Sequence, residues 1–414
     1  MLCEFIVQNF KSYRDETVFD MQAANIEEFA DTLIPGPGQN FSSILPVSVI
    51  YGPNGGGKSN LFEALSFLLS LVTTPIKTSR NIGNPFGMFF SGEAQPFRLD
   101  EQSADQPINF GITFRTDLAE YSYQISIKGE QILEESLYRI KVPCVRKRES
   151  LLFVREGDTI TVGTALNRAN NRDVNSSIPY LSFLGINYNF PEIMDVVQWF
   201  SNCCIINYSF LASDQRLSTY LDEDNVKKQT LHLLKAMDIP IVDYDFRELT
   251  TTDGKKFTQM ETVHRLHGKE YKLSIADESD GTCKILSIMP ALLTTLTKGG
   301  ILLVDELDSK LHPQLLRFLI KLYANSEINT ARSQLIFTCH DISIMKNDIF
   351  RRDEIWFAAR DEESVSRIWS LYEIRDEKGT PIKNTAAYDK QYLEGRYGAD
   401  PYLRRMLDWR VENG

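Results

Sequence analysis

Tyr51-Gly52-Pro53-Asn54-Gly55-Gly56-Gly57-Lys58-Ser59-Asn60 fits the spacing Gly-x4-Gly-Lys-Ser/Thr, with Gly52, Gly57, Lys58 and Ser59 in the fixed places. Glycines let a backbone curl so that successive N–H groups point inward at phosphate oxygens. In such a loop Lys58 reaches the β- and γ-phosphates of a nucleoside triphosphate, and the Ser59 hydroxyl ligates Mg²⁺. Pro53, Asn54, Gly55, Gly56 and Asn60 complete the binding segment. An ordinary Gly-rich turn can match the pattern by chance, but the surroundings favour a phosphate loop. Pro46 to Tyr51 reads as a short buried strand, and Leu61, Ala64, Leu65, Leu68, Leu69 and Val72 recur at helical spacing.

A second set of chemical groups lies far down the chain. Ile301-Leu302-Leu303-Val304-Asp305-Glu306 is an apolar run ending in two carboxylates, the pattern of a buried parallel strand that delivers acid at its C-terminal end. Buried carboxylates are costly unless they face a cation or water. Asp305 is therefore expected to hold Mg²⁺ through its water shell, and Glu306 to polarise an attacking water. Gln334 to Cys339 reads as another buried strand, and His340 at its end is placed for a γ-phosphate contact. Ser279-Asp280-Gly281 opens a helix running towards Leu296, bent at Pro290. Capping explains Ser279 and Asp280, while a helix start with Ser279 and Gly281 is equally an anion-binding end. His312, before Pro313, reads as a helix-start residue or a functional one with equal weight.

These groups need elements to carry them. Leu2 to Val7 and Thr17 to Phe19 read as strands, with Lys11 and Arg14 in the turn between them. Local composition makes that turn a solvated hairpin. Residues 31 to 46 form a loop, and residues 73 to 107 read as irregular, including Asn84-Pro85-Phe86-Gly87. Ile108 to Phe114, Glu120 to Ile127 and Ile132 to Ile140 read as antiparallel strands beside the nucleotide. Pro191 to Phe200 and Asn225 to Met237 look helical; Asp243 to Leu249, Phe257 to Leu266 and Tyr271 to Ile275 look extended. Residues 129–262 read as an insertion between a first half-core, 1–128, and a second, 263–414.

With 414 residues, 24% charged and 43% hydrophobic, the chain has an ordinary globular composition. A net charge of −11 argues against coating DNA over a whole face, and leaves a protein partner or a local basic groove. Arg139, Lys141, Arg146, Lys147, Arg148 and Arg155 form the densest basic stretch. It reads either as the polar face of a hairpin or as a phosphate-backbone contact. Six scattered cysteines and five histidines show no metal-ligand spacing, and fit reduced thiols in a cytoplasmic protein. No signal peptide or membrane-spanning run is evident, so no membrane partner is expected.

The order of phosphate loop, Ser-x-Gly helix start, Asp-Glu strand and strand-end His resembles ABC-type ATPases, and Asn9-Phe10-Lys11-Ser12-Tyr13 resembles the opening of RecF and SMC ATPases. Asp305-Glu306-x-Asp308-x-x-Leu311-His312-Pro313, Cys339-His340-Asp341 and the tail Tyr392-Leu393-Glu394-Gly395-Arg396-Tyr397-Gly398-Ala399 resemble stand-alone RecF/SMC-like ATPases of bacterial anti-phage systems. The resemblance implies an α/β P-loop NTPase of ABC type. It would have a mostly parallel core sheet, an antiparallel β subdomain and a mixed, partly helical insertion. It implies ATP and Mg²⁺ as cofactors and places Lys11 near the nucleotide. It also implies a homodimer or higher oligomer, with ATP held by Gly52–Ser59 of one copy and Ser279–Gly281 of another. A separate effector, a nuclease, is the expected partner, since no nuclease module follows His340. DNA is the alternative partner, through the basic stretch. Two departures stand out. Asp280 puts negative charge where the family has glycine, which predicts slow turnover or a protein that holds ATP as a scaffold. No lid-loop glutamine stands out, Gln106 being a candidate only.

Overall fold

Strands with apolar residues on one face and strands apolar throughout end up in different sheets. The computed structural model describes residues 1–79, 94–144, 146–169, 173–207, 213–250, 254–376 and 378–399. The alternating strands β1 (Leu2–Gln8), β2 (Thr17–Asp20), β4 (Ile108–Arg115), β5 (Ala119–Lys128), β6 (Gln131–Lys141), β7 (Glu149–Glu156) and β8 (Thr159–Val162) form one antiparallel sheet in the order β2-β1-β4-β5-β6-β7-β8. On β5, Tyr121, Tyr123, Ile125 and Ile127 are all buried, as the alternation predicts.

The continuous apolar strands β3 (Val47–Tyr51), β13 (Ile301–Asp305) and β14 (Gln334–Thr338) are buried at every residue. With β9 (Cys204–Asn207), β15 (Ile355–Arg360) and β16 (Ser366–Ser370) they form a sheet ordered β16-β15-β3-β14-β13-β9, parallel except for β16. Successive residues point to opposite faces and so serve two cores. Ile50, Leu303 and Ile336 join the core shared with the antiparallel sheet, whereas Val49, Leu302 and Leu335 join the core on the other side.

Helix α1 (Lys58–Ser79) fills the space between the two sheets, with Leu61, Phe62, Leu65, Leu68 and Val72 buried. Each such side chain stabilises by about 1.5–3 kcal/mol. Because α1 continues through Pro75 to Ser79, residues 73–79 are helical rather than irregular. Packing of Ile76 in the core outweighs the local helix-breaking tendency of Pro75. Asn84-Pro85-Phe86-Gly87 lies outside the described residues. Short α2 (Glu101–Ala104) precedes β4; α3 (Tyr180–Asn187) and α4 (Pro191–Asn202) pack on α1. Among the described residues α1 is the one helix long and apolar enough to cross a membrane, and 56% of that stretch is buried inside the protein.

On the opposite face of the parallel sheet sit α7 (Asp280–Lys298) and α8 (Pro313–Ala324). Beside α7, α5 (Asp214–Leu221) and α6 (Asp224–Ala236) pack with a three-stranded antiparallel sheet, β10 (Asp243–Thr250), β11 (Lys256–Leu266) and β12 (Lys269–Ser274). The tail folds as α9 (Tyr388–Leu393), whose Tyr392 ring stacks on Phe357 at 5.7 Å.

Residues 129–262, expected as an insertion, contribute to all three sheets. β6, β7 and β8 continue the antiparallel sheet, β9 edges the parallel one, and β10 and most of β11 build the small one. The expected boundary at 128/129 falls in the turn of the β5–β6 hairpin, whose two strands pair from Lys128↔Gln131 to Ala119↔Lys141.

Candidate functional site: strand ends around the phosphate loop

Strands β3, β14 and β13 are parallel neighbours, so their C-terminal ends open on one edge of the sheet. That edge receives the phosphate loop, His340 and Asp305-Glu306. Gly52 has φ +150°, and a Cβ there would stand 2.0 Å from the Ala358 carbonyl oxygen; one on Gly56 would stand 2.5 Å from the same oxygen. The loop therefore hugs β15 closely, and only glycine permits it. Lys58 is buried, and its Nζ donates to the carbonyls of Gly52 at 2.8 Å and Pro53 at 3.1 Å. Burial lowers its pKa, while Asp305, Glu306 and Asp308 pull it back up. Asn54, Gly55 and Ser59 are exposed.

The N-terminal turn braces this loop. Asn60 donates to the Ser12 hydroxyl at 2.7 Å, and the Tyr13 hydroxyl donates to the Gly57 carbonyl at 3.1 Å. Lys11 is ion-paired with Glu63 on α1, so the turn is a packed part of the site rather than a solvated hairpin. Gln106 lies between α2 and β4, where its backbone carbonyl accepts from Asn9 at 3.0 Å. Among the described residues no contact joins its side chain to the phosphate loop.

Asp305 is buried, and its Oδ1 accepts from the Thr338 hydroxyl at 2.6 Å. The same hydroxyl accepts the Glu306 N–H at 2.6 Å. Asp305 makes no ion pair among the described residues, and a nearly buried carboxylate near Lys58 fits a hydrated dication. Glu306 adopts left-handed φ +53°, and its half-exposed carboxylate lies 4.0 Å from His340 Nε2. Asp308 accepts the backbone N–H groups of His340 and Asp341, both at 2.9 Å, tying the end of β14 to the turn after β13.

Sequence reasoning missed Thr338 and Lys284. Lys284 on α7 is fully buried. Its Nζ donates to the carbonyls of Glu306, Leu307 and Ser309 at 2.9, 2.9 and 2.8 Å. Burial pulls its pKa down to about 6, against the pull of Asp308 and Glu306. Three accepting carbonyls require the three N–H groups of the ammonium form, and on that ground we read it as charged. A signal was present: 284, 288, 291 and 295 share one helix face, and all four are buried.

Ser279 caps α7, its Oγ accepting from the Thr282 N–H at 3.2 Å. Asp280 pairs with Lys310 at 3.0 Å, which offsets the charge that departs from the family pattern. A Cβ on Gly281 would stand 3.0 Å from the Lys310 carbonyl. Among the described residues no hydrogen bond or ion pair joins 279–281 to the phosphate loop of the same chain. Glu278 accepts from Thr262 and His264 of β11, linking the small sheet to this helix start. His312 caps α8 by accepting from the Gln314 N–H at 3.2 Å, which is the structural of its two readings.

The basic stretch is not one surface. Arg155 is buried, donating to the carbonyls of Gly157, Ile178, Val174 and Asn175. Arg139 pairs with Glu192 at 2.7 Å, and Lys147 pairs with Glu120 at 3.1 Å over the Phe41 ring. Lys141, Arg146 and Arg148 remain exposed.

A phosphate loop between β3 and α1, acids at the end of a nearby parallel strand and a flanking antiparallel sheet define the class: a P-loop NTPase with the ABC-type fold. Residues 47–346, more than half of the chain, match the family model described as AAA domain, putative AbiEii toxin, Type IV TA system, and the chain belongs to that family. A stretch of 175 residues is 26% identical to Structural maintenance of chromosomes protein 1 of Schizosaccharomyces pombe, covering 38% of this chain and 12% of that protein. Among solved structures, the SMC head domain from Thermotoga maritima is 14% identical, with 89% of this chain and 98% of that one covered at TM-score 0.41. The SmcHead bound to the C-winged helix domain of ScpA is likewise 14% identical, with 89% and 97% covered at TM-score 0.41.

Thr338→Val keeps the shape of the strand end but removes both of its hydrogen bonds. If Asp305 is a metal-side carboxylate, the loss expected in any Mg²⁺-dependent ATP turnover is about 10–100-fold, the usual size for a residue that orients such a ligand. Titrating activity against Mg²⁺ checks this, and an unchanged Mg²⁺ profile would show that the hydroxyl does not orient Asp305.

Proposed function

We propose that this chain binds ATP with Mg²⁺ at the ends of β3, β14 and β13, and hydrolyses it. The observation that carries the reading is the convergence of Lys58, Asp305, Glu306 and His340 on one sheet edge, with Thr338 bridging the two acids. Gly52–Ser59 and Asn60 hold the phosphates, with Lys58 neutralising the outer ones. Ser59 and Asp305 would hold Mg²⁺, which would supply positive charge against the triphosphate. Glu306 takes the proton of the attacking water, and His340 contacts the terminal phosphate. Lys11 acts by bracing α1 through Glu63 rather than by touching the nucleotide.

Ser279 and Gly281 complete the ATP site of a second copy, since they are exposed or half-exposed at a helix start and have no partner in their own phosphate loop. ATP then drives self-association, and the joined state controls a separate effector, a nuclease, in cytoplasmic anti-phage defence. Light scattering tests the first step: ATP should convert the Glu306→Gln protein to a dimer or higher assembly. Ser279→Arg should prevent this while leaving monomer ATP binding intact. If mass is the same with and without ATP, the composite site is wrong. Co-purification with the product of a neighbouring gene tests the effector, and a gene with no toxic neighbour would count against it.

A further inference from the structure

Dispersed in residues 139–155, cations gather instead around residues 375–396. A hollow of about 830 Å³ is bordered by Arg375, Lys378, Lys383 and Arg396, together with Thr380 and Gln391. Asp376, the carboxylate on its wall, is engaged within its own turn. One oxygen accepts the N–H groups of Lys378 and Thr380 at 2.9 and 2.8 Å. Arg375 is steadied by neutral partners, donating to the carbonyls of Tyr372 and Ile374 at 2.6 and 3.1 Å. Among the described residues, Arg375, Lys378 and Lys383 form no ion pair, and Arg396 pairs with Glu394 at 2.6 Å.

Like charges crowded into a concavity repel. The group is complementary to an anion. Two guanidinium and two ammonium groups suit the oxygens of phosphate groups better than a single carboxylate. None of the bordering residues belongs to the phosphate loop. We propose that this hollow binds phosphate groups, of a nucleic-acid strand or of a free polyphosphate, at a site separate from Lys58.

The test uses the full chain with saturating Mg-ADP, a fluorescent single strand of about 20 nucleotides read by anisotropy, and tripolyphosphate read by calorimetry and as competitor. Strand binding should weaken with salt, with a log–log slope of about −2 to −3 for three or four neutralised phosphates. Arg375→Glu with Lys383→Glu should weaken binding at least about tenfold and flatten that slope. Lys58→Ala should leave it unchanged, which separates this site from the proposed ATP site. Strand binding that millimolar tripolyphosphate does not displace assigns nucleic acid as the source; tripolyphosphate binding alone assigns a free polyphosphate. If neither ligand binds at about 50 mM salt, or if the charge-reversed protein binds as the parent does, the proposal is overturned. Should charge reversal disturb folding, Arg375→Gln with Lys383→Gln gives the same reading from charge removal alone.

Discussion

Glu306→Gln is expected to lower steady-state ATP turnover by about 10²–10⁴-fold, the usual contribution of a general base, while ATP affinity changes little. The substitution keeps size and shape. The Glu306 N–H still reaches Thr338, and its carbonyl still receives Lys284. What is lost is the ability to accept a proton. Left-handed backbone at a residue other than glycine costs on the order of 1–3 kcal/mol, and here the peptide groups on both sides are held, so the strain persists and aims the carboxylate. Single-turnover and steady-state measurements with labelled ATP check the prediction. Equal turnover in both proteins would remove Glu306 from the chemistry, and a parent protein that turns over only once would favour a scaffold that holds ATP.

Lys284→Met is expected to cost about 1–3 kcal/mol of stability or more, because the buried Leu307 carbonyl and the part-buried Glu306 and Ser309 carbonyls lose their donor. Turnover should fall by about tenfold or more, with ATP affinity nearly unchanged, because the Lys58 side of the site is untouched. Lys284 spans from the helix that starts at Ser279 to the turn that carries Glu306, so its removal loosens the aim of the carboxylate rather than the grip on phosphate. Lys284→Gln retains two donors and should recover part of both losses. Thermal unfolding and a kcat-against-KM comparison decide the matter; a Met variant with the parent's melting point and kcat would show that the carbonyls find other partners.

Much of the site was readable because it obeys local rules. Gly52–Ser59 follows a short apolar strand and opens an apolar-striped helix, and the chain folds that way. Asp305-Glu306 and His340 end buried strands, and parallel pairing brings those ends together. Other features are not legible locally, since adjacency in sequence is not adjacency in space. Arg139 and Arg155 lie on β6 and β7, where one meets Glu192 and the other sinks among carbonyls. The middle of the chain reads as an insertion, and its strands pair into all three sheets, a feature that leaves no local trace in the sequence. Lys284 went unseen because a lysine inside an apolar stripe looks like an exception, when it was the residue joining helix to turn. Resemblance places Lys11 near the nucleotide; in the fold it pairs with Glu63, about one turn into the helix that the phosphate loop opens.

The parallel sheet is a party wall. Neighbouring residues of β3, β13 and β14 furnish different rooms, and strands from the middle third of the polypeptide hang from both ends of the building. Excising that third to obtain a minimal nucleotide-binding fragment would therefore unroof both interiors and bare two raw sheet margins.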